Sequence, residues 1–203
     1  MATQRVIHTD YLDSSDVREF MKVARRLCDV VDGIAHLSEV EFLRQIGELA
    51  PLAYAKGVRL EWPDHYEGQD DDDDGLGPRP EVPIPYGGHL KWWKHLRDAI
   101  GLKLGWHRVF HFVYNPAHPN DRKVIGADLA DCISDIYMDL KKGLLHYDQG
   151  TLEHKAEAVW QWKFGITGWG THVAEILLPI HHLLHTHYDE DEDCWRPFYE
   201  VTP

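Results

Sequence analysis

The chain has 203 residues, of which 43% are hydrophobic, and a formal net charge of −13. That apolar content is enough for a core and excludes global disorder; no apolar run approaches the ~20 residues that a membrane-spanning helix needs. Ten of the negative charges stand in two runs, Asp70-Asp71-Asp72-Asp73-Asp74 and Asp189-Glu190-Asp191-Glu192-Asp193, which repel phosphate backbones and argue against nucleic acid and membrane as partners.

Met1 to His8 has no apolar h-region, so no secretion signal is expected and the setting reads as cytoplasmic. Over residues 14–31, Val17, Phe20, Ala24, Leu27 and Val31 fall on one face of a helix. Asp13 or Ser14 can cap it, and Gly33 stops it. Ser38 with Glu41 forms a capping box for a second helix, and Leu37 with Phe42 suits a hydrophobic staple. Phe42, Leu43, Ile46 and Leu49 make its apolar side, and Pro51 is expected to kink it before Gly57. The pair reads as an antiparallel helical hairpin.

Residues 61–88 read as an irregular acidic and proline-rich loop. Pro78, Pro80, Pro83 and Pro85 exclude a regular helix there. Gly88 to Ile100 reads as a third helix on the spacing of Leu90, Trp93, Leu96 and Ile100. Residues 106–114 are β-branched and aromatic, which suits a short strand or extended segment, and Asn115 to Ile125 reads as a polar loop. Asp128 to Tyr147 is the most regular helix, with Leu129, Ile133, Ile136, Leu140 and Leu144 as its core stripe. Thr151 caps a helix running through Phe164. Gly165 to Gly170 is expected to break the chain before a last helix from Gly170 to His187, and 188–203 reads as an acidic tail. The expectation is one domain over 1–203, mostly α: an irregular helical bundle of about six helices with a long acidic loop and a short strand.

Four constellations could carry chemistry. Asp128, Asp131, Asp135 and Asp139 recur at i, i+3, i+7 and i+11, which lines four carboxylates along one helix face. Carboxylates on adjacent turns can share a divalent cation, although a solvated or salt-bridged face is the commoner use of such a pattern. His172 follows Gly168-Trp169-Gly170-Thr171; in the first turn of a helix its neutral imidazole would be favoured, able to ligate a metal or to bond one of the aspartates. His181 and His185 stand at i, i+4, a two-ligand spacing that lacks its third member. Finally, Trp160 and Trp162 are two apart and cannot both face one core, which leaves one for another element or a partner surface. Cys28, Cys132 and Cys194 are odd in number and far apart, so no disulfide framework is expected; Cys28 and Cys132 read as small core residues.

From about residue 126 onward the chain resembles a bacterial family known as domain of unknown function 5063. The resemblance rests on Asp128-Leu129-Ala130-Asp131, Asp135-Ile136-Tyr137-Met138-Asp139-Leu140-Lys141, Trp160-Gln161-Trp162-Lys163-Phe164 and Trp169-Gly170-Thr171-His172, and continues to His181. It implies a helical fold and no particular activity. The run of aspartates and the His181-to-His187 tail depart from the family pattern.

Two functions remain open on these grounds. The first is a non-enzymatic interaction module, an inhibitor or immunity-type protein for a basic bacterial partner. Asp70, Asp71, Asp72, Asp73, Asp74, Trp162, Asp189, Glu190 and Asp191 would form its surface, and no cofactor is needed. The second is a metal-dependent hydrolase or metal-binding protein that holds a divalent ion with Asp128, Asp131, Asp135, His172 and His181.

Overall fold

A computed structural model describes residues 9–61, 80–105, 109–113, 123–189 and 194–197. Asp70 to Asp74, Glu190 and Asp191 lie outside the described residues, and Asp189 is described as backbone only.

The local signals act where their hydrogen bonds are short-range. A short helix α1 (Thr9–Leu12) precedes α2 (Ser15–Asp32), where the Ser14 hydroxyl accepts from the Val17 N–H. Ser38 does the same for Glu41 at the start of α3 (Glu39–Gly57), which continues through Pro51. The two long helices pack as the hairpin their caps predict. Pro85 to Gly87 makes a tight turn in which Tyr86 takes a left-handed conformation at φ 58°. The turn launches α4 (His89–Leu104). The buried face of α4 is Trp92, Leu96, Ile100 and Leu104: Leu96 and Ile100 are buried as expected, and Trp92 and Leu104 take the places expected of Leu90 and Trp93. Leu90 is 76% exposed, while Trp93 is only partly buried and turns toward the polar side.

The expected strand finds a partner. β1 (Val109–Val113) pairs antiparallel with β2 (Val124–Asp128), in register Val109 opposite Asp128 and Val113 opposite Val124. β2 falls at the end of what reads as a polar loop, because strand pairing is non-local and five residues carry little period. It feeds directly into α5 (Leu129–Tyr147), and Asp128 caps that helix by accepting from the Ala130 N–H at 2.8 Å.

α5 is the central element, packed against α2, α4, α6 (Leu152–Phe164) and α7 (Ile166–His185). α7 begins at Ile166, four residues earlier than expected, so Gly168 and Gly170 sit inside it. Gly170 is there for close approach: a Cβ would stand 2.9 Å from the Tyr54 ring. β3 (Thr186–Asp189) and β4 (Cys194–Pro197) form an antiparallel hairpin where an irregular acidic tail is expected. Among the described residues no helix is long and apolar enough to cross a membrane.

The core runs through all five long elements around α5. Its aromatic centre joins Phe20, Trp162 and Trp169, with ring centroids 5.0 Å and 6.0 Å from Phe20. Trp162 is 0% exposed, so it does not offer the partner surface expected of it. Its indole N–H donates to the Leu140 carbonyl at 3.2 Å, and its own carbonyl accepts from Trp169 at 3.2 Å. The half-buried member of the pair is Trp160, whose ring is tilted 37° against that of Phe164 at 5.5 Å between centroids.

Candidate functional site

Because α4, α5 and α7 converge, the polar face of α5 meets side chains from two neighbours. The aspartates of that face are treated differently along its length. Asp128 is consumed as the helix cap and stands 3.8 Å from an Arg97 Nη. Asp131 is paired with the Arg97 guanidinium, which also lies 5.5 Å over the Trp93 ring. These two carboxylates, read from the sequence as candidate metal ligands, both face the Arg97 guanidinium, which supplies a positive charge where the sequence reading places a metal ion.

Further along, compensation runs out. Asp135 accepts from the Trp93 indole N–H at 2.8 Å, and its other oxygen is 3.6 Å from His172 Nε2. Burial raises its pKa above the ordinary carboxylate value, against the pull of the Trp93 bond and of His172. Asp139 is raised as well, first by burial and then by the charge of Asp135; His89, Lys142 and His172 oppose the shift weakly. His172 lies in the second turn of α7, not its first, so its surroundings are set by these carboxylates and not by a helix end.

The other ring nitrogen of His172 reaches a residue that the sequence reading missed. His172 Nδ1 is 2.9 Å from Glu175 Oε2, one turn on in the same helix. The same oxygen is 3.8 Å from Cys132 Sγ. Cys132, His172 and Glu175 thus bring a thiol, an imidazole and a carboxylate within 4.8 Å of one another. Burial first, then the charges of Glu175, Asp135 and Asp131, push the Cys132 thiol up to about 12. Spacing alone could have suggested Glu175, which stands three residues after His172. Trp93 and Arg97, four apart on α4, carry no such cue, because their targets lie on another helix.

His181 does not join this group. It is nine residues beyond His172, which on one helix is about 13 Å along the axis and half a turn round. It lines instead a groove between α3 and α7 with Arg44, Glu48 and Ile180, and its ring centroid is 4.8 Å from that of His185. The structure therefore keeps Asp135 and His172 of the expected ligands together, adds Cys132 and Glu175, and leaves out Asp128, Asp131 and His181.

The family described as domain of unknown function (DUF5063) matches this chain over residues 12–186. A crystal structure of protein BF1032 from Bacteroides fragilis is similar in fold, with a TM-score of 0.67 and 16% sequence identity. The match covers 86% of this chain and 95% of that one. No curated protein matches the chain.

Proposed function

We propose that this chain, which belongs to the domain of unknown function 5063 family, binds one divalent transition-metal ion between Cys132, His172 and Glu175. The observation that carries the reading is the pair of contacts on one imidazole. His172 Nε2 faces the Asp135 carboxylate and Nδ1 faces the Glu175 carboxylate. A neutral ring has one proton, so one of its nitrogens turns a lone pair toward an anionic oxygen. Something positive must intervene, either a second proton or a cation.

A cation accounts for more of the surroundings. It would make use of the Cys132 thiol, which a coordinated metal deprotonates despite its raised pKa. Ligand atoms around a tetrahedral zinc stand roughly 3.5 Å from one another, close to the separations seen here. Asp135, itself held by Trp93, then acts as the carboxylate that orients the ligating histidine through its other nitrogen. Three protein ligands leave a fourth position for water, which is the arrangement a hydrolytic use requires. A reducing cytoplasm suits a site built on a free thiol.

The test is metal content of untagged protein, with thermal shifts on adding zinc, manganese or magnesium. One equivalent of metal and a stabilising shift are expected in the wild type and in His181→Ala. Both should be lost in His172→Ala and Glu175→Gln. Substoichiometric metal throughout, with no shift from any of the three ions, sinks the reading and leaves His172 as a link between the Asp135 and Glu175 carboxylates.

The second reading is an inhibitor or immunity-type partner of a basic protein. It draws on the acidic runs at 70–74 and 189–193 alone, since Trp162 belongs to the core. Capture experiments at low and moderate salt address it: a specific basic partner released by salt supports it, and none at either ionic strength counts against it.

A further inference from the structure

α3 carries a row of side chains that its own fold does not use. Val40, Arg44, Glu48 and Leu52 recur every four residues, so they form one inclined ridge on the outer face of the helix. All four are exposed; the apolar members, Val40 and Leu52, are 52% and 48% accessible. Arg44 and Glu48 stand at i, i+4 with the base N-terminal to the acid, the weaker order for a pair within one helix. Among the described residues neither side chain has an ion-pair or hydrogen-bond partner.

An exposed valine or an unpaired surface charge is ordinary when it stands alone. The order along the ridge is apolar, positive, negative, apolar, and that order is its own complement when reversed. A two-fold axis level with residue 46 would set Val40 against the partner's Leu52 and Arg44 against the partner's Glu48. The same two rows then repeat on the other side of the axis.

The surface next to the ridge has the shape to receive it. Between the ridge and α7 runs a groove of about 580 Å³, floored by Gly47 and Ile180 and banked on the α7 side by Leu177, His181 and Leu184. Gly47 keeps the floor low, since a Cβ there would already stand 3.1 Å from Ile180 Cγ2. Ridges of this four-residue kind from two helices interdigitate at a crossing angle of about 50°, the commonest packing between helices. Under the two-fold operator each copy's ridge lies in the other's groove.

We infer that this chain forms a symmetric homodimer through the α3 ridge and the α3–α7 groove. The two charges select a second copy as the occupant. A purely acidic or purely basic segment would bring a like charge to Glu48 or to Arg44, and a purely apolar one would bury both without partners. The reversed ridge pairs both charges and covers Val40 and Leu52. The inference goes beyond the metal reading and does not rest on it: ridge and groove share no residue with Cys132, His172 and Glu175.

Sedimentation velocity of the full chain across protein concentration tests it, at ~0.15 M salt, where exposed charges more than about 8 Å apart are largely screened. The wild type should pass from monomer to dimer as concentration rises. Arg44→Glu sets acid against acid in both central rows, and Glu48→Arg sets base against base. Each should weaken dimerisation roughly tenfold or more. Mixing the two variants separates pairing from any effect on the fold. One copy then offers two acids and the other two bases, so a heterodimer should form at concentrations where each variant alone is monomeric. A chain carrying both substitutions should dimerise again. A wild type that stays monomeric up to about 1 mM overturns the inference and leaves the groove to another protein. A dimer that neither single substitution weakens overturns it as well, as do single variants whose mixture and double substitution both stay monomeric.

Discussion

Replacing Gly143 with alanine perturbs the contact that joins α5 to α6, and its size can be worked from distances. A Cβ at residue 143 would stand 2.1 Å from Trp162 Nε1, 2.5 Å from Cε2 and 2.8 Å from Cδ1. Carbon contacts settle near 3.5–4.0 Å, so the indole must move by more than about 1 Å. It has nowhere to go. Trp162 is fully buried, packed on Phe20 at 5.0 Å and stacked with Tyr147 at 6.0 Å. Displacing it also lengthens the 3.2 Å hydrogen bond to the Leu140 carbonyl, and an indole N–H left unpaired costs roughly 1–3 kcal/mol. Overpacking adds about 1–3 kcal/mol. Against these stands the gain of alanine over glycine inside a helix, about 0.5–1 kcal/mol. The net expectation is a destabilisation of roughly 2–4 kcal/mol, read in urea as a lower midpoint at unchanged slope. Trp162→Phe in the same background should recover part of the loss. A Gly143→Ala protein as stable as the wild type, or more so, would refute the packing reasoning and with it the burial of Trp162.

Asp139→Asn should be more stable than the wild type at pH 7, by about 0.5–2 kcal/mol, because burial and Asp135 make the charged carboxylate costly. The sign follows from linkage. A carboxyl whose pKa is raised in the fold favours the native state while protonated, and that contribution is lost as pH rises through the folded pKa. The gain in the asparagine variant should therefore vanish near pH 4; a loss of stability at pH 7 in metal-free protein would contradict it. The bidentate contact of Arg25 with Asp148 joins α2 to the end of α5 but is exposed on both sides. A double-mutant cycle should give a coupling below about 1 kcal/mol that shrinks with salt, and a larger, salt-independent value would show that solvent screening has been overestimated.

Much of the bundle is legible because its signals are local. Ser14, Ser38 and Thr151 cap helices through bonds to N–H groups three residues on, so composition over a few positions is enough. The core stripes of α2, α3 and α5 follow from period alone, since a helix repeats its face whatever it packs against. Gly33 and Gly165 end helices as read, but the break does not extend to Gly170. Gly168 and Gly170 lie inside α7, and Gly170 is needed where the chain comes against Tyr54, a residue more than a hundred positions away. β2 is missed for a related reason: its partner, not its own sequence, makes it a strand.

The candidate site divides along the same line. The aspartate spacing on α5 and the presence of His172 are properties of single segments, and they are readable as such. Which carboxylates are spent and which are left without compensation is decided by other helices: Arg97 reaches in from α4 to take Asp131, while Trp93, one turn earlier, gives Asp135 only the hydrogen bond of an uncharged indole N–H. Cys132 reads as a core residue by its apolar neighbours and is indeed buried, but only the approach of α7 brings Glu175 to its sulfur. Local sequence sets most of the helices, the Ser14, Ser38 and Thr151 caps, and the line of acids along one face of α5. The tertiary structure alone decided that Trp162 turns inward, that His181 points away, and that a thiol, an imidazole and a carboxylate meet, because each of those outcomes depends on a contact between residues the chain places on different helices or on opposite faces of one.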